Sequence, residues 1–333
     1  MAESDGQRLP AFADVQAAAE RLNSIAVTTP LVENPLLSER CGARIFLKIE
    51  TLQRTGSFKF RGAYNRLVQL SGEQRRHGVV AFSSGNHAQG IAAAAALLGI
   101  PATIVMPSDA PRVKTDATRA LGAKIVPYER RTQSREQIAQ GIARETGATV
   151  VPSFDDPDII AGQGTLGLEM AAQCEALGAA PDFVLVPCSG GGLASGTALA
   201  FRGTSPNTRI IVAEPEGYDG TRLSLQRGER VAADGARATI ADALMSTAPG
   251  VLTFALLQSL DARGVAVADA DLMRAVAFAA LQLKLIVEPG GAAGLAALLS
   301  GKFPARGKTV GIVLSGGNID TAMLNRCLAE AAE

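Results

Sequence analysis

The chain has 333 residues, with 32 Lys and Arg against 32 Asp and Glu, so no net charge recruits nucleic acid or an anionic membrane. Hydrophobic residues make up 47% and aromatics 4%, which gives an aliphatic, alanine-rich core large enough for two domains or one large α/β unit. Four scattered cysteines without a CxxC pair and two histidines frame neither a zinc site nor a disulfide scaffold, and the polar start MAESDGQRLP and short apolar runs point to a soluble cytoplasmic protein.

RIFLKIE (44–50) reads as the first buried strand. TGSFKFRGA (55–63) follows, with Lys59 between Phe58 and Phe60. Such a lysine is either a snorkelling surface charge or an amine held in an apolar setting for chemistry. The strand VVAFSS (79–84) runs into SSGNHAQG (83–90), which opens the helical stretch HAQGIAAAAALLG (87–99). Ser83, Ser84, Gly85, Asn86 and His87 there place polar side chains beside backbone donors. The set suits a carboxylate, and it is equally the chemistry of helix caps.

ATIVMP (102–107), PRVKTDATRALG (111–122), KIVPY (124–128) and REQIAQGIARETG (135–147) continue the strand–helix alternation. PSFDDPDIIAG (152–162), with two prolines and three aspartates, reads as a connection between two lobes. FVLVPCS (183–189) leads into PCSGGGLASG (187–196), whose glycines let backbone N–H groups approach an anion at a helix start. Its spacing is not that of a dinucleotide fingerprint, because Ser195 stands where the third glycine belongs. RIIVAEP (209–215), the helix DLMRAVAFAALQLKL (271–285) and TVGIVLS (309–315) complete the series, and LSGGN (314–318) puts Ser315 at the last strand's tip. Gly307-Lys308-Thr309 imitates the end of a P-loop but precedes a strand, so it reads as a surface turn.

Aliphatic strands alternating with helices predict parallel sheets covered on both faces, with ligands beyond the carboxyl ends of the strands. An anion cradle, a carboxylate nest and a hemmed-in lysine together ask for a phosphorylated cofactor that reacts with amines.

TGSFKFRGA, SSGNHAQG, AGQGT (161–165), PCSGGGLASG and VLSGGN (313–318) stand in an order that resembles the fold-type II pyridoxal-phosphate enzymes, within them the threonine/serine dehydratase and serine racemase family. The resemblance spans residues 45–320. It implies an α/β fold of two open, twisted, mostly parallel sheets flanked by helices, with pyridoxal 5'-phosphate (PLP) in the cleft between a large domain (1–55 and 155–333) and a small one (56–154). After residue 317 one helix fits, so no C-terminal regulatory domain is expected.

By the same resemblance Lys59 is the Schiff-base lysine and general base, flanked at the cofactor by Phe58. Asn86 bonds the cofactor's 3-hydroxyl. Ser189, Gly190, Gly191, Gly192 and Leu193 cradle the phosphate, and Ser315 faces the pyridine nitrogen. A neutral serine there weakens the ring as an electron sink and suits β-elimination. Ser83 to His87 hold the substrate's α-carboxylate. Ser84 stands where racemases have a second base, and Arg135 matches a racemase-like arginine able to meet a second carboxylate; its plain alternative is a solvated helix arginine.

Relatives hold a divalent cation with a glutamate and, six residues on, an aspartate. Here Glu214 is followed by Gly220, with the aspartate at Asp219, so no metal is assigned. The implied activity is β-elimination from L-threonine and L-serine to 2-oxobutanoate or pyruvate plus ammonia. Serine racemase and 3-hydroxyaspartate dehydratase are the alternatives, and a β-replacement synthase or a non-catalytic PLP-binding protein lies further off. The expected partners are a small hydroxy amino acid and copies of the chain in a dimer or tetramer.

Overall fold

The computed structural model describes residues 8–83, 85–110 and 112–330. In chain order its strands are β1 (Leu31–Glu33), β2 (Arg44–Ile49), β3 (Val79–Phe82), β4 (Ala102–Pro107), β5 (Lys124–Tyr128), β6 (Thr149–Val150), β7 (Phe183–Pro187), β8 (Arg209–Pro215), β9 (Arg263–Val267) and β10 (Thr309–Leu314). One sheet runs β1-β2-β10-β7-β8-β9 and the other β5-β4-β3-β6. Of the pairings between these strands, β1–β2 is antiparallel and the others are parallel. The chain thus starts the six-stranded sheet, leaves to build the four-stranded one, and returns.

Side-chain alternation distributes the core of the larger sheet over two faces. Leu185, Ile312 and Leu314 belong to the cluster on one face, with Leu272, Val276 and Leu295 from the covering helices. Val184, Val186 and Val313 point the other way, onto Met170, Leu193 and Phe201. The smaller sheet buries Val79, Ala81 and Ile104 against Phe60, Leu67, Ile91 and Ala95. No helix among the described residues is long and apolar enough to cross a membrane.

The longer predicted strands recur, and three of them stop short of their polar tips, with Ser83, Cys188, Ser189 and Ser315 lying beyond the strand ends. β1, β6 and β9 went unrecognised: two are only two or three residues long, and RGVAV carries no alternation. The expected connection 152–162 is a connection only to Asp156. There the Asp156 carboxylate accepts N–H bonds from Asp158 and Ile159, Pro157 takes the first helical position, and a helix runs Pro157–Ala176.

That helix crosses Lys59–Val68, the helix that Lys59 opens, at two glycines. A Cβ on Gly162 would lie 2.6 Å from the Gly62 Cα, so backbones touch where side chains would separate them. A buried ionic network locks the same junction. Arg61 donates from Nε to Glu50 Oε2 (2.8 Å) and from Nη1 to Glu169 Oε1 (2.6 Å), while Lys48 Nζ reaches Glu169 Oε2 at 2.8 Å. Burial alone disfavours the Arg61 charge, but the two carboxylates outweigh it and hold its pKa above the ordinary value. Only Phe60 separates this anchor from Lys59, so the helix start has little freedom.

Candidate active site

The neighbouring ends of β7 and β10 in the larger sheet and the end of β3 in the smaller one line a cavity of about 470 Å³. Phe58, Lys59, Ser83, Gly85, Asn86 and His87 lie on its wall. So do Arg135, Ser189, Leu193, Ser315 and the three glycines 190 to 192. These residues come from five separate stretches of the sequence and meet at one place. Ser84 lies outside the described residues.

Lys59 donates from Nζ to the Ser153 carbonyl (2.8 Å), and its ammonium lies 5.2 Å from the centre of the Phe58 ring. Among the described residues no carboxylate pairs with it there. Burial pushes its pKa down to about 8, which raises the fraction of neutral, nucleophilic amine near pH 7 by more than a hundredfold over an ordinary lysine.

At Gly190 and Gly191 the loop after β7 admits no side chain larger than hydrogen. A Cβ on Gly190 would come within 2.4 Å of the Phe154 ring, and Gly191 has φ 99°, with Thr253 Cβ 2.8 Å from its virtual Cβ. The Gly190 carbonyl is occupied by Gly250 N–H (3.1 Å) and Thr253 Oγ1 (2.6 Å). Ser189 Oγ accepts Ser246 N–H (3.1 Å), which ties the loop's other end. The helix Gly192–Thr204 starts here, and the first N–H groups of a helix have no acceptor within it. A side-chain-free cradle of backbone donors at a helix start fits a phosphate.

On the facing wall, Ser83 Oγ accepts Gly85 N–H (3.2 Å) and the helix Asn86–Leu98 begins. His87 Nε2 lies 3.2 Å from the Val151 carbonyl, so that nitrogen is the donor. Burial, helped by nearby Lys59, pushes the His87 pKa down to about 3. A neutral ring brings no charge to a carboxylate; what His87 offers an anion is its backbone N–H. Asn86 is fixed on both sides, donating from Nδ2 to Glu288 Oε1 (2.5 Å) and accepting at Oδ1 from Asn318 Nδ2 (2.7 Å). Ser315, nearly buried, presents a neutral hydroxyl, and its carbonyl accepts the Phe58 N–H at 3.1 Å.

Arg135 opens the helix Arg135–Thr146. Its guanidinium stacks 5.4 Å from the Phe82 ring centre, and Nε bonds Glu136 Oε1 at 2.8 Å. The Lys114 ammonium also lines the cavity, paired with Asp242 across from the helix that carries it. Lys114, Asp242 and Asn318 drew no attention in the sequence. Lys114 sits in an ordinary amphipathic helix and Asp242 in a featureless stretch, while Asn318 ends a recognised motif without an obvious task.

Away from the cavity, the Glu214 carboxylate caps a helix start, accepting Thr221 N–H (3.2 Å) and Arg222 N–H (2.7 Å), and burial lifts its pKa to about 8. Asp219 is held by the Arg222 guanidinium. Among the described residues no group of three His, Cys, Asp or Glu is arranged to hold a metal.

Two mostly parallel sheets, a glycine cradle and a partly buried amine define a fold-type II site for PLP, and the pyridoxal-phosphate dependent enzyme family model matches residues 24–316, so the chain belongs to that family and PLP is its cofactor. L-threo-3-hydroxyaspartate ammonia-lyase from a Pseudomonas species is 48% identical over 314 residues, 94% of this chain and 97% of that one. L-threonine ammonia-lyase from Thermotoga maritima is 42% identical over 315 residues, 95% and 77% of the two chains. Among solved structures, maize serine racemase superposes with a TM-score of 0.90 at 35% identity, covering 98% of both chains. The protein is a PLP-dependent enzyme of the ammonia-lyase and racemase group.

Proposed function

We propose that this enzyme is a 3-hydroxyaspartate ammonia-lyase, converting L-threo-3-hydroxyaspartate to oxaloacetate and ammonia. The observation that carries this is Arg135, a guanidinium in the wall of the cavity that holds Lys59. A cation at the first residue of a helix opposes the helix dipole, a cost of about 0.3–1 kcal/mol. Its stacking on Phe82 and pairing with Glu136 offset that cost and hold it at the cavity. Such a placement makes sense if a carboxylate is to meet it, and the Pseudomonas relative acts on a substrate with two.

In this reading the backbone N–H groups from Gly85 to His87, with the Ser83 hydroxyl, hold the α-carboxylate. The Arg135 Nη groups hold the β-carboxylate. PLP supplies, when bound, an aldehyde for the substrate's amine and a conjugated ring that accepts the electron pair left at Cα. Lys59, once free, takes the Cα proton at Nζ, oriented by the Ser153 carbonyl. Phe58 and Phe154 limit water at the reacting carbon. The β-hydroxyl leaves as water with the proton returned by Lys59 Nζ, and the resulting enamine tautomerises to an imine whose hydrolysis releases ammonia and the 2-oxo acid. The water lost in the elimination is regained in the hydrolysis, so oxaloacetate differs from the substrate by the loss of ammonia alone and no oxidant is needed.

The L-threonine/L-serine dehydratase implied by the motifs is the second reading. What favours it is Glu136, which already neutralises part of the Arg135 charge. The deciding experiment follows ammonia and 2-oxo acid release from L-threo-3-hydroxyaspartate, L-threonine, L-serine and D-serine, with chiral analysis of the remaining substrate. A kcat/KM at least tenfold higher for hydroxyaspartate is expected. Preference for L-threonine instead would hand the function to the second reading.

A further inference from the structure

The fragment VEPGGAAG (287–294) contains a carboxylate that the mechanism above does not use. Glu288 is 2% exposed and lies between the Lys59 cavity and a second cavity lined also by Asn318, Asp269, Asp320 and Arg326. Its backbone N–H bonds the Gly316 carbonyl (3.0 Å), beside Ser315. Among the described residues its side chain meets no cation at bonding distance. It meets the Asn86 amide, 202 residues earlier in the chain.

The geometry of that amide is over-determined. Asn318 Nδ2 donates both to Asn86 Oδ1 (2.7 Å) and to the Thr55 carbonyl (2.8 Å), which fixes which end of the Asn86 amide is oxygen. Nδ2 then carries two hydrogens, one of which is taken by Glu288 Oε1 at 2.5 Å. The second points elsewhere, and Asn86 is on the cavity wall. Without Glu288, the amide could swing about its side-chain torsion, which is broad for asparagine.

We propose that Glu288 is a positioning residue for the cofactor: by accepting one Nδ2 hydrogen of Asn86, it aims the other at the 3-oxygen of PLP. This rests on the reading of Asn86 as the ligand of that oxygen. The choice of a carboxylate over a neutral acceptor matters for two reasons. A charged acceptor makes a stronger bond than a neutral one. It also titrates. Burial and the Asp242 carboxylate push the Glu288 pKa up to about 7, against the Asn86 bond and the Lys114 ammonium, which favour the charged form. Asp269, Asp320 and Arg326 face it across the second cavity. The Asn86 contact therefore tightens as pH rises through about 7.

The test uses Glu288→Leu, which keeps bulk and removes the acceptor, and Glu288→Gln, which keeps an acceptor and removes the charge. Asn86→Ala is measured in parallel. The readouts are the dissociation constant for PLP and the absorbance spectrum of the bound cofactor from pH 6 to 9. Glu288→Leu is expected to bind PLP at least tenfold more weakly and Glu288→Gln within threefold of wild type. The wild-type spectrum should titrate with a midpoint near pH 7, and Glu288→Gln should lose that step. If Asn86→Ala alters affinity and spectrum while the Glu288 variants match wild type, the proposal fails alone. If Asn86→Ala also matches wild type, the Asn86 reading fails and takes the proposal with it. Should Glu288→Leu not fold, the Glu288→Gln titration decides, and persistence of the step near pH 7 overturns the proposal.

Discussion

Arg135→Met separates the two substrate readings most sharply. Methionine retains an apolar stem against Phe82 and removes only the charge and its donors. A hydrogen bond to a charged group contributes about 1.5–3 kcal/mol. That range must be reduced here, because the Arg135 side chain is 45% exposed and Glu136 competes for it. About 1–2 kcal/mol remains, which is roughly a 5- to 30-fold fall in kcat/KM for L-threo-3-hydroxyaspartate. L-Threonine has no second carboxylate, so its kcat/KM should stay within twofold. Steady-state coupled assays at two ionic strengths measure both, and added salt should depress the wild-type rate on hydroxyaspartate more than the variant's. Removing a cation from a helix start should leave the melting temperature unchanged or slightly raised. An equal fall on both substrates would refute the reasoning and make Arg135 a support for its helix.

Gly191→Ala forces a Cβ into a left-handed backbone and against Thr253; the strain of about 1–2 kcal/mol should distort the cradle and raise the PLP dissociation constant at least tenfold in a fluorescence titration. An unchanged constant would show that the loop does not carry the phosphate. Uptake of PLP by the apoprotein requires a neutral Lys59, so its rate should rise about tenfold per pH unit below pH 8 and level off above, as followed by stopped-flow absorbance. A flat profile would mean that Lys59 is not the reacting amine. Glu214 has a folded pKa of about 8 against an ordinary 4.5, so the folded state holds a proton that the unfolded state releases. Its contribution is complete below about 4.5 and is lost as pH rises through 8, at up to about 1.4 kcal/mol per unit. Between pH 5.5 and 8.5 the melting temperature of Glu214→Gln should fall less than that of wild type, and equal slopes would disprove the assignment.

The sequence alone determined what depends on neighbours along the chain. Buried parallel strands announce themselves as aliphatic runs, because both faces are covered, and RIFLKI, ATIVMP and RIIVAEP were legible for that reason. The glycines at 190 to 192 and the lysine between two phenylalanines were legible because backbone approach and a depressed pKa each demand particular residue types at fixed local spacing. Recognition of the family followed from those motifs in order. The weak strands β1, β6 and β9 were hidden, since they exist only through pairing with a partner strand.

Only the tertiary structure decided which distant groups act together. Arg61 finds Glu50 and Glu169, and Asn86 finds Glu288 and Asn318, across separations of up to 232 residues. No local pattern encodes such a pairing, because each partner alone looks like an ordinary charged or amide residue. It is the burial imposed by the fold that leaves each of them a single place to satisfy its hydrogen bonds, and so turns scattered polar residues into a site.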